Sequence, residues 1–315
     1  MVEVPWPCAA ASAASISARL VCDLEPGIVT FACTGVDATG AVQDSMLTCY
    51  ILPCWRALWV SGIMAGVCGR FAVITSTALL AEKIKAVDEA TVDAPNYNVA
   101  PTVPIATVVS RHSESDYEPT RRVRLMRWGL IPPWIKASSD GGPDIKGPLL
   151  INVRADKVAT SPVFRNSAKS KRCLVPMDGW YEWQVNVDSA LGKKASTTPF
   201  FINRDDGATL FMAGLWSVWQ PANSSAMLLS CTIITTDAVG ELAEIHDRMP
   251  LILAEYDWDV WLNPYIPLDP QLLARSPDVH DIDVRPVSTL VNSVRNNGPE
   301  LLEPVLLQPG QITLL

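Results

Sequence analysis

From Phe71 onward the chain is a succession of short segments that switch between strand-like alternation and helical spacing. The regular strand–helix–strand rhythm of a parallel sheet is missing. That pattern assigns the α+β class. Ser76 can cap a helix over residues 77–87, with Leu79, Leu80 and Ile84 on one side. Residues 96–101 read as extended chain stopped by Pro101, and 104–110 as a strand. Val123 and Leu125 alternate with arginines, as on a half-exposed strand. Trp128-Gly129-Leu130-Ile131-Pro132-Pro133-Trp134 reads as a stiff aromatic loop, and 138–147 as turn-rich. Further strands are expected at 172–177, 198–203, 226–235 and 284–289, with Asp205-Asp206-Gly207 as a hairpin turn into a strand at 208–217. Asp237 can cap a short helix ending near Ile245, and Asp269-Pro270 can open another. There is no internal repeat, no glycine-rich phosphate loop and no heptad pattern.

The first 66 residues differ in character. They hold five of the eight cysteines (Cys8, Cys22, Cys33, Cys49 and Cys54) but only five acids and two bases, with neither helical periodicity nor clean alternation. A secretory signal opens with a basic region, whereas here Glu3 comes early and the first base is Arg19. The apolar stretch 51–64 is broken by Pro53 and Arg56, which rules out a membrane-spanning helix there. No metal-ligand spacing emerges, so neither a metal nor another cofactor is expected. Val67 stands where an initiator methionine would, and the valine codon GTG also starts translation in bacteria. The expected organisation is a poorly structured extension over 1–66, either a mis-assigned start or a pro-segment, followed by one domain over 67–315. The net charge of −8 gives no global sign of nucleic-acid binding, although a local basic stripe can still hold phosphates.

Few side chains stand out for chemistry. Of three histidines, His112 and His280 lie among polar residues in expected loops and read as surface. His246 sits in Glu244-Ile245-His246-Asp247-Arg248-Met249-Pro250, between a helix exit and a proline-stopped strand. It is either a proton-transfer group or a structural histidine. Glu182, between Tyr181 and Trp183, is either an exposed strand-end carboxylate or an acid–base group whose pKa is raised by the aromatic surroundings. Asn152 and Arg154 share one face of a strand, lining a polar pocket, meeting a phosphate or facing solvent. Cys173 and Cys231 read as buried thiols. Bases concentrate in one half of the chain: Arg70, Arg121, Arg122, Arg124, Arg127, Arg154, Arg165, Lys169, Lys171 and Arg172. Phe71, Trp128, Trp134 and Phe164 are interleaved with them. Such a set suits a nucleic acid, with charges on phosphates and rings on bases, and equally suits an ordinary surface.

Several blocks nevertheless occur in a distinctive order. They are Cys68-Gly69-Arg70-Phe71, Tyr97-Asn98-Val99-Ala100-Pro101, Trp128-Gly129-Leu130-Ile131-Pro132 and Ile151-Asn152-Val153-Arg154-Ala155. Gly179-Trp180-Tyr181-Glu182-Trp183, Ile245-His246-Asp247-Arg248-Met249-Pro250 and Val291-Asn292-Ser293-Val294-Arg295-Asn296 follow. This ordered set resembles the SRAP family, the SOS response-associated peptidases or abasic-site processing proteins, over residues 67 to about 305. The resemblance implies a single α+β domain with a branched, barrel-like mixed sheet surrounded by short helices. It implies a mature chain that begins at the cysteine, and single-stranded DNA carrying an abasic site as the partner.

By the same resemblance the α-amine of Cys68 attacks the abasic aldehyde, and its thiol then closes a thiazolidine. Asn152 positions the reacting groups, Glu182 shuttles protons, and His246 protonates the sugar oxygen. Arg70 and Arg154 hold phosphates, joined by Arg165 and Arg248, and Trp134 wedges at a bend in the strand. Release of whatever precedes Cys68 is the peptidase activity that the family name implies. Two rival readings are a thiol peptidase using Cys68, His246 and Asn152, and a non-covalent single-strand binder. The absence of a targeting segment favours the cytoplasm, at the nucleoid, and a monomer is expected.

Overall fold

The computed structural model describes residues 68–111, 120–186, 196–222 and 225–306, and the backbone of three earlier strands. His112 lies outside the described residues. The chain divides into two compact units, Met1–Ala65 and Gly66–Leu315. In the first unit β1 (Ser17–Arg19), β2 (Val29–Val36) and β3 (Val42–Cys49) form an antiparallel sheet in the order β1-β2-β3. β2 pairs with β3 from Val29↔Cys49 to Val36↔Val42. Valines and threonines suit pleated backbone even where polar alternation is not clean.

The second unit begins with β4 (Arg70–Val73), α1 (Thr77–Lys83), β5 (Ala86–Asp88), β6 (Asn96–Val99), β7 (Pro104–Arg111) and β8 (Thr120–Trp128). It continues with β9 (Asn152–Arg154), α2 (Arg165–Ser170), β10 (Arg172–Met177), β11 (Gly179–Asn186), β12 (Ser196–Arg204) and β13 (Leu210–Trp219). β14 (Leu228–Asp237), α3 (Leu242–Ile245), β15 (Arg248–Pro250), α4 (Trp258–Leu262), α5 (Pro270–Ala274) and β16 (Ile282–Pro286) complete it. Strands β14, β13, β10, β7 and β8 are hydrogen-bonded in that order, and a parallel β14–β8 pairing closes them into a five-stranded barrel. β15 and β9 branch from β14, and β5 from β8. A second sheet, β16-β12-β11-β4-β6, carries Cys68 at the entrance of β4 and Glu182 within β11. The fold is thus the expected α+β domain with a branched, barrel-like sheet and short helices. Among the described residues no helix is long and apolar enough to cross a membrane.

Alternation along the barrel strands feeds two cores. Leu174, Ala213, Leu215 and Ile234 pack with helix residues Leu80, Ala168, Trp258, Trp261 and Leu272. Cys173, Val175, Met212, Cys231 and Ile233 pack with Phe71, Trp180 and Ile202 of the second sheet, and Cys68 belongs to this second core.

Several local expectations are corrected by pairings that the sequence pattern does not contain. α1 stops at Lys83, short of residue 87, because Lys85 turns left-handed (φ 54°) and β5 pairs in parallel with β8. Gly207 does turn the chain (φ 71°), but β12 and β13 lie in different sheets, so Asp205-Asp206-Gly207 closes no hairpin. Asp237 ends β14, and α3 starts after Glu241 without a side-chain cap. Val123 is buried whereas Leu125 is exposed. The Asp269 cap is as expected, accepting from Gln271 N at 2.8 Å.

The basic stretch is not an open stripe. Arg122 and Arg124 pair with Glu89, and Arg121 pairs with Asp259. Arg172 is only 3% exposed. Its Nε donates to Trp261 O (2.6 Å), its Nη1 to Ala168 O (2.8 Å) and Lys169 O (2.9 Å), and its Nη2 to Asn263 O and to Ile266 O (2.9 Å). The guanidinium fork therefore ties the end of α2 to the chain after α4. Arg172→Ala is expected to lower unfolding free energy by at least about 3 kcal/mol, since each buried acceptor left unpaired costs about 1–3 kcal/mol. Arg172→Lys should recover only a minor part, because an ammonium cannot reproduce the fork. Urea denaturation followed by tryptophan fluorescence measures both, and equal midpoints for wild type and Arg172→Ala would refute the assignment.

Candidate active site

β11 starts with a close approach. A Cβ on Gly179 would lie 2.3 Å from Phe201 Cζ and 2.7 Å from Ile202 O, so only glycine lets β11 settle on β12 at this point. The same strand pairs with β4, setting Tyr181 opposite Arg70. Three residues after Gly179, Glu182 is only 3% exposed, and its Oε1 accepts from Cys68 N at 2.6 Å. Cys68 itself is fully buried, with a left-handed φ of 46°. That conformation costs a non-glycine residue about 1–2 kcal/mol. In this chain the nitrogen is a peptide amide; in a chain beginning at Cys68 the same atom is an α-amine.

Burial dominates the electrostatics. It pushes the Glu182 carboxyl up to about 8, helped by the nearby Asp247 charge and opposed by the hydrogen bond from Cys68 N. The Cys68 thiol is raised well above its ordinary value, first by burial and then by the charge of Glu182. The site thus favours a neutral thiol and a protonated carboxyl beside a nitrogen.

His246 follows α3 directly, and Gln184 Nε2 of β11 donates to Glu244 O at 2.9 Å, tying α3 to the strand of Glu182. Nδ1 of His246 accepts from Arg248 N at 3.1 Å and lies 2.9 Å from Asp247 Oδ1. These two contacts select different protonation states: an unprotonated Nδ1 for the amide, a protonated one for the carboxylate. Asn152 opens β9, opposite Ile233 in the parallel pairing with β14. Its neighbour Ile151 accepts from Trp128 Nε1 at 3.0 Å, and the Trp128 ring meets Phe71 edge-on with centroids 4.9 Å apart. The chain around Asn152 is therefore joined to β4, just beyond Cys68.

The arginines expected at a phosphate part company. Arg70 is half-buried, its Nη1 donating to Asn98 Oδ1 (2.7 Å) and Val291 O (3.0 Å), and it lies 6.0 Å from the centroid of the Trp183 ring. Among the described residues no carboxylate pairs with it. Arg154 is exposed and pairs with Asp156 at 2.9 Å. Arg165 is exposed on α2, whose Ala168 belongs to the core on the helix side rather than to that of Cys68. With Lys169 and Tyr265 it lines a groove of about 410 Å³. Arg248 is 6% exposed, and its guanidinium donates to Thr236 O, Thr235 O and Thr235 Oγ1. It ties β15 to β14 rather than facing solvent. Trp134 is 53% exposed in a loop anchored by Trp219 Nε1 donating to Ile135 O at 2.7 Å. His280 is exposed. Sequence reasoning had no role for Asp247 or Asn98, although both lie inside quoted blocks; the nearness of Asp247 to Glu182 and the carbonyl partners of Asn98 are visible only in three dimensions.

A buried cysteine nitrogen meets a buried carboxyl on the second sheet, in a domain whose branched first sheet closes into a five-stranded barrel. The chain belongs to the SOS response associated peptidase (SRAP) family, whose family model matches residues 67–294. It is 36% identical over 242 residues to the abasic site processing protein YoqW of Bacillus subtilis, covering 75% of this chain and 99% of that one. It is 33% identical over 229 residues to the abasic site processing protein HMCES of Xenopus tropicalis, covering 68% and 67% of the two chains. A solved protein from Bacteroides thetaiotaomicron shares the fold, with a TM-score of 0.61 at 23% identity, covering 76% of this chain and all of that one.

Proposed function

We propose that this protein processes abasic sites in single-stranded DNA by covalent capture through Cys68. The observation that carries this reading is the 2.6 Å contact between Cys68 N and the buried Glu182. An open abasic site presents an aldehyde. A free Cys68 α-amine, with an ordinary pKa of about 7.7–8, has a useful neutral fraction near pH 7. It adds to the aldehyde carbon to give a carbinolamine. Glu182 protonates the departing hydroxyl, water leaves, and an imine forms. The Cys68 sulfur then adds to the imine carbon, its proton passes to nitrogen, and a five-membered thiazolidine closes. The net reaction joins protein and aldehyde with loss of one water. The closing step is intramolecular, for which effective molarities reach about 10⁵–10⁸ M.

His246 opens the sugar ring by protonating its oxygen, and Asn152 orients the reacting groups. Arg70 and Arg154 meet phosphates, Trp134 wedges at a bend in the strand, and Arg165 contacts DNA further out. Arg248, with its guanidinium donors held by β14, orients His246 through its backbone N–H on Nδ1. Removal of residues 1–67, by a later start or by cleavage after Val67, frees the amine. The reading includes a monomer acting in the DNA-damage response on the bacterial nucleoid. The thiol-peptidase alternative is less well supported: burial raises the thiol, and among the described residues no hydrogen bond joins Cys68 to His246.

The test compares three proteins against single-stranded DNA bearing one abasic site: a chain beginning at Cys68, the same chain with its α-amine acetylated, and the full 315-residue chain. A heat-resistant band on a denaturing gel, given only by the free-amine chain and only with abasic DNA, is the expected result. Equal bands from the free and acetylated chains would exclude the amine as nucleophile. No band from the verified free-amine chain would leave the non-covalent binder.

A further inference from the structure

Asn98 is 4% exposed and lies within the Tyr97-Asn98-Val99-Ala100-Pro101 block. Its Nδ2 reaches three backbone carbonyls of the C-terminal segment: Val291 O at 3.2 Å, Ser293 O at 3.0 Å and Asn296 O at 2.9 Å. Its Oδ1 accepts from Arg70 Nη1 at 2.7 Å. Val291 O accepts from Arg70 as well, at 3.0 Å, so one carbonyl joins both side chains. The segment is fastened at two further points. Tyr97 N donates to Asn297 Oδ1 at 2.7 Å, and Trp183 Nε1 donates to Asn292 Oδ1 at 2.7 Å. Trp183 also flanks the Arg70 guanidinium and directly follows Glu182.

Arg70 is thus held through Nη1 alone. Among the described residues nothing accepts from its Nε or Nη2, and burial lowers its pKa without a carboxylate to offset the effect. A half-buried guanidinium with two open donor positions and no counter-ion is built to meet an anion.

We propose that Asn98 is a positioning residue for Arg70. It makes residues 290–296 one wall of the anion site beside Cys68, with the side-chain amide as the hub. A DNA phosphate as that anion rests on the functional reading above. Asn98 touches no reacting atom and acts through Arg70.

Two measurements on the full chain separate the inference from the functional reading. The first is binding to an unmodified single-stranded oligothymidylate by fluorescence anisotropy across a salt series. Each phosphate neutralised on a single strand contributes about 0.7 to the slope of log affinity against log salt. Arg70→Ala should lower the slope by about that amount. Asn98→Ala should lower it equally, and the double variant should fall no further. The second is hydrogen exchange by mass spectrometry, in which Asn98→Ala should deprotect amides 290–297 while β4 and β11 stay protected. Asn296→Ala, which loses the bond from its Nδ2 to Leu290 O from the segment side, should shift both readouts the same way if Asn98→Ala fails to fold. A purely structural role would lower the melting temperature without changing the slope. An unchanged slope in Asn98→Ala alongside a lowered one in Arg70→Ala would overturn the proposal. Absence of DNA binding by the wild type would sink the functional reading alone, and the exchange data would then decide: unaltered protection of 290–297 would overturn the positioning role too.

Discussion

Cys68→Ala, in a chain that begins at residue 68, is expected to form no adduct that survives heating in denaturant. Addition of cyanoborohydride should restore a band. The alanine keeps the α-amine, so addition to the aldehyde and loss of water still give an imine. Without the sulfur no ring closes, and the imine hydrolyses when the fold is lost. Reduction converts it to a stable secondary amine, taking hydride from the reagent. Denaturing gels with and without reductant make the measurement. A stable band from the alanine variant without reductant would show that the thiol is dispensable. No band even with reductant would show that the amine does not attack. The buried environment supports this division of labour. With the thiol held neutral by burial and by Glu182, the nitrogen is the better first nucleophile.

Glu182→Gln should slow capture by about 10²–10⁴-fold, the usual contribution of a positioned acid–base group. Glutamine preserves size and the acceptor for Cys68 N but carries no proton for the departing hydroxyl. Single-turnover capture kinetics provide the test, and a loss under about tenfold would be too small for a proton shuttle. In a chain that begins at Cys68 the amine and the carboxyl would titrate as a coupled pair, so the pH profile would report the pair and not either group.

Stability of the full chain isolates the carboxyl, because there the Cys68 nitrogen is an amide. Folding raises the Glu182 pKa from 4.5 to about 8. Between those values the folded chain holds a proton that the unfolded chain releases, so stability falls as pH rises. The contribution is fully present below about 4.5 and lost above about 8. Glu182→Gln removes that slope, so the variant should gain on the wild type between pH 6 and pH 9 in urea unfolding. Parallel curves would mean that burial does not hold the proton on Glu182.

The fold was legible where its signals are local. The apolar run of β10, the proline stop after β6 and the Asp269 cap of α5 each depend on a few neighbouring residues. The α+β class followed from how such segments alternate. The end of α1 was not legible, because a parallel pairing with β8 replaces helix beyond Lys83. The arginines misled for the same reason. Nothing near Arg122 and Arg124 in sequence announces Glu89 as their shared partner, and nothing near Arg172 announces carbonyls about 90 residues away. At the site, the ordered blocks picked out the segments that meet. The contact of Cys68 with Glu182 spans 114 positions, and the hub role of Asn98 depends on carbonyls, which no side-chain pattern reveals.

The link between Arg70 and Val291 crosses 221 positions of chain. During synthesis at about 5–20 residues per second, Arg70 precedes Val291 by more than about ten seconds. By the end of that interval Cys68, Asn152, Glu182 and His246 have all been polymerised, but Val291 and the residues after it have not. A ribosome-bound or prematurely terminated chain therefore lacks the carbonyl that Arg70 meets. On the proposed reading, the order of translation delays completion of the anion site until the C-terminal segment has emerged.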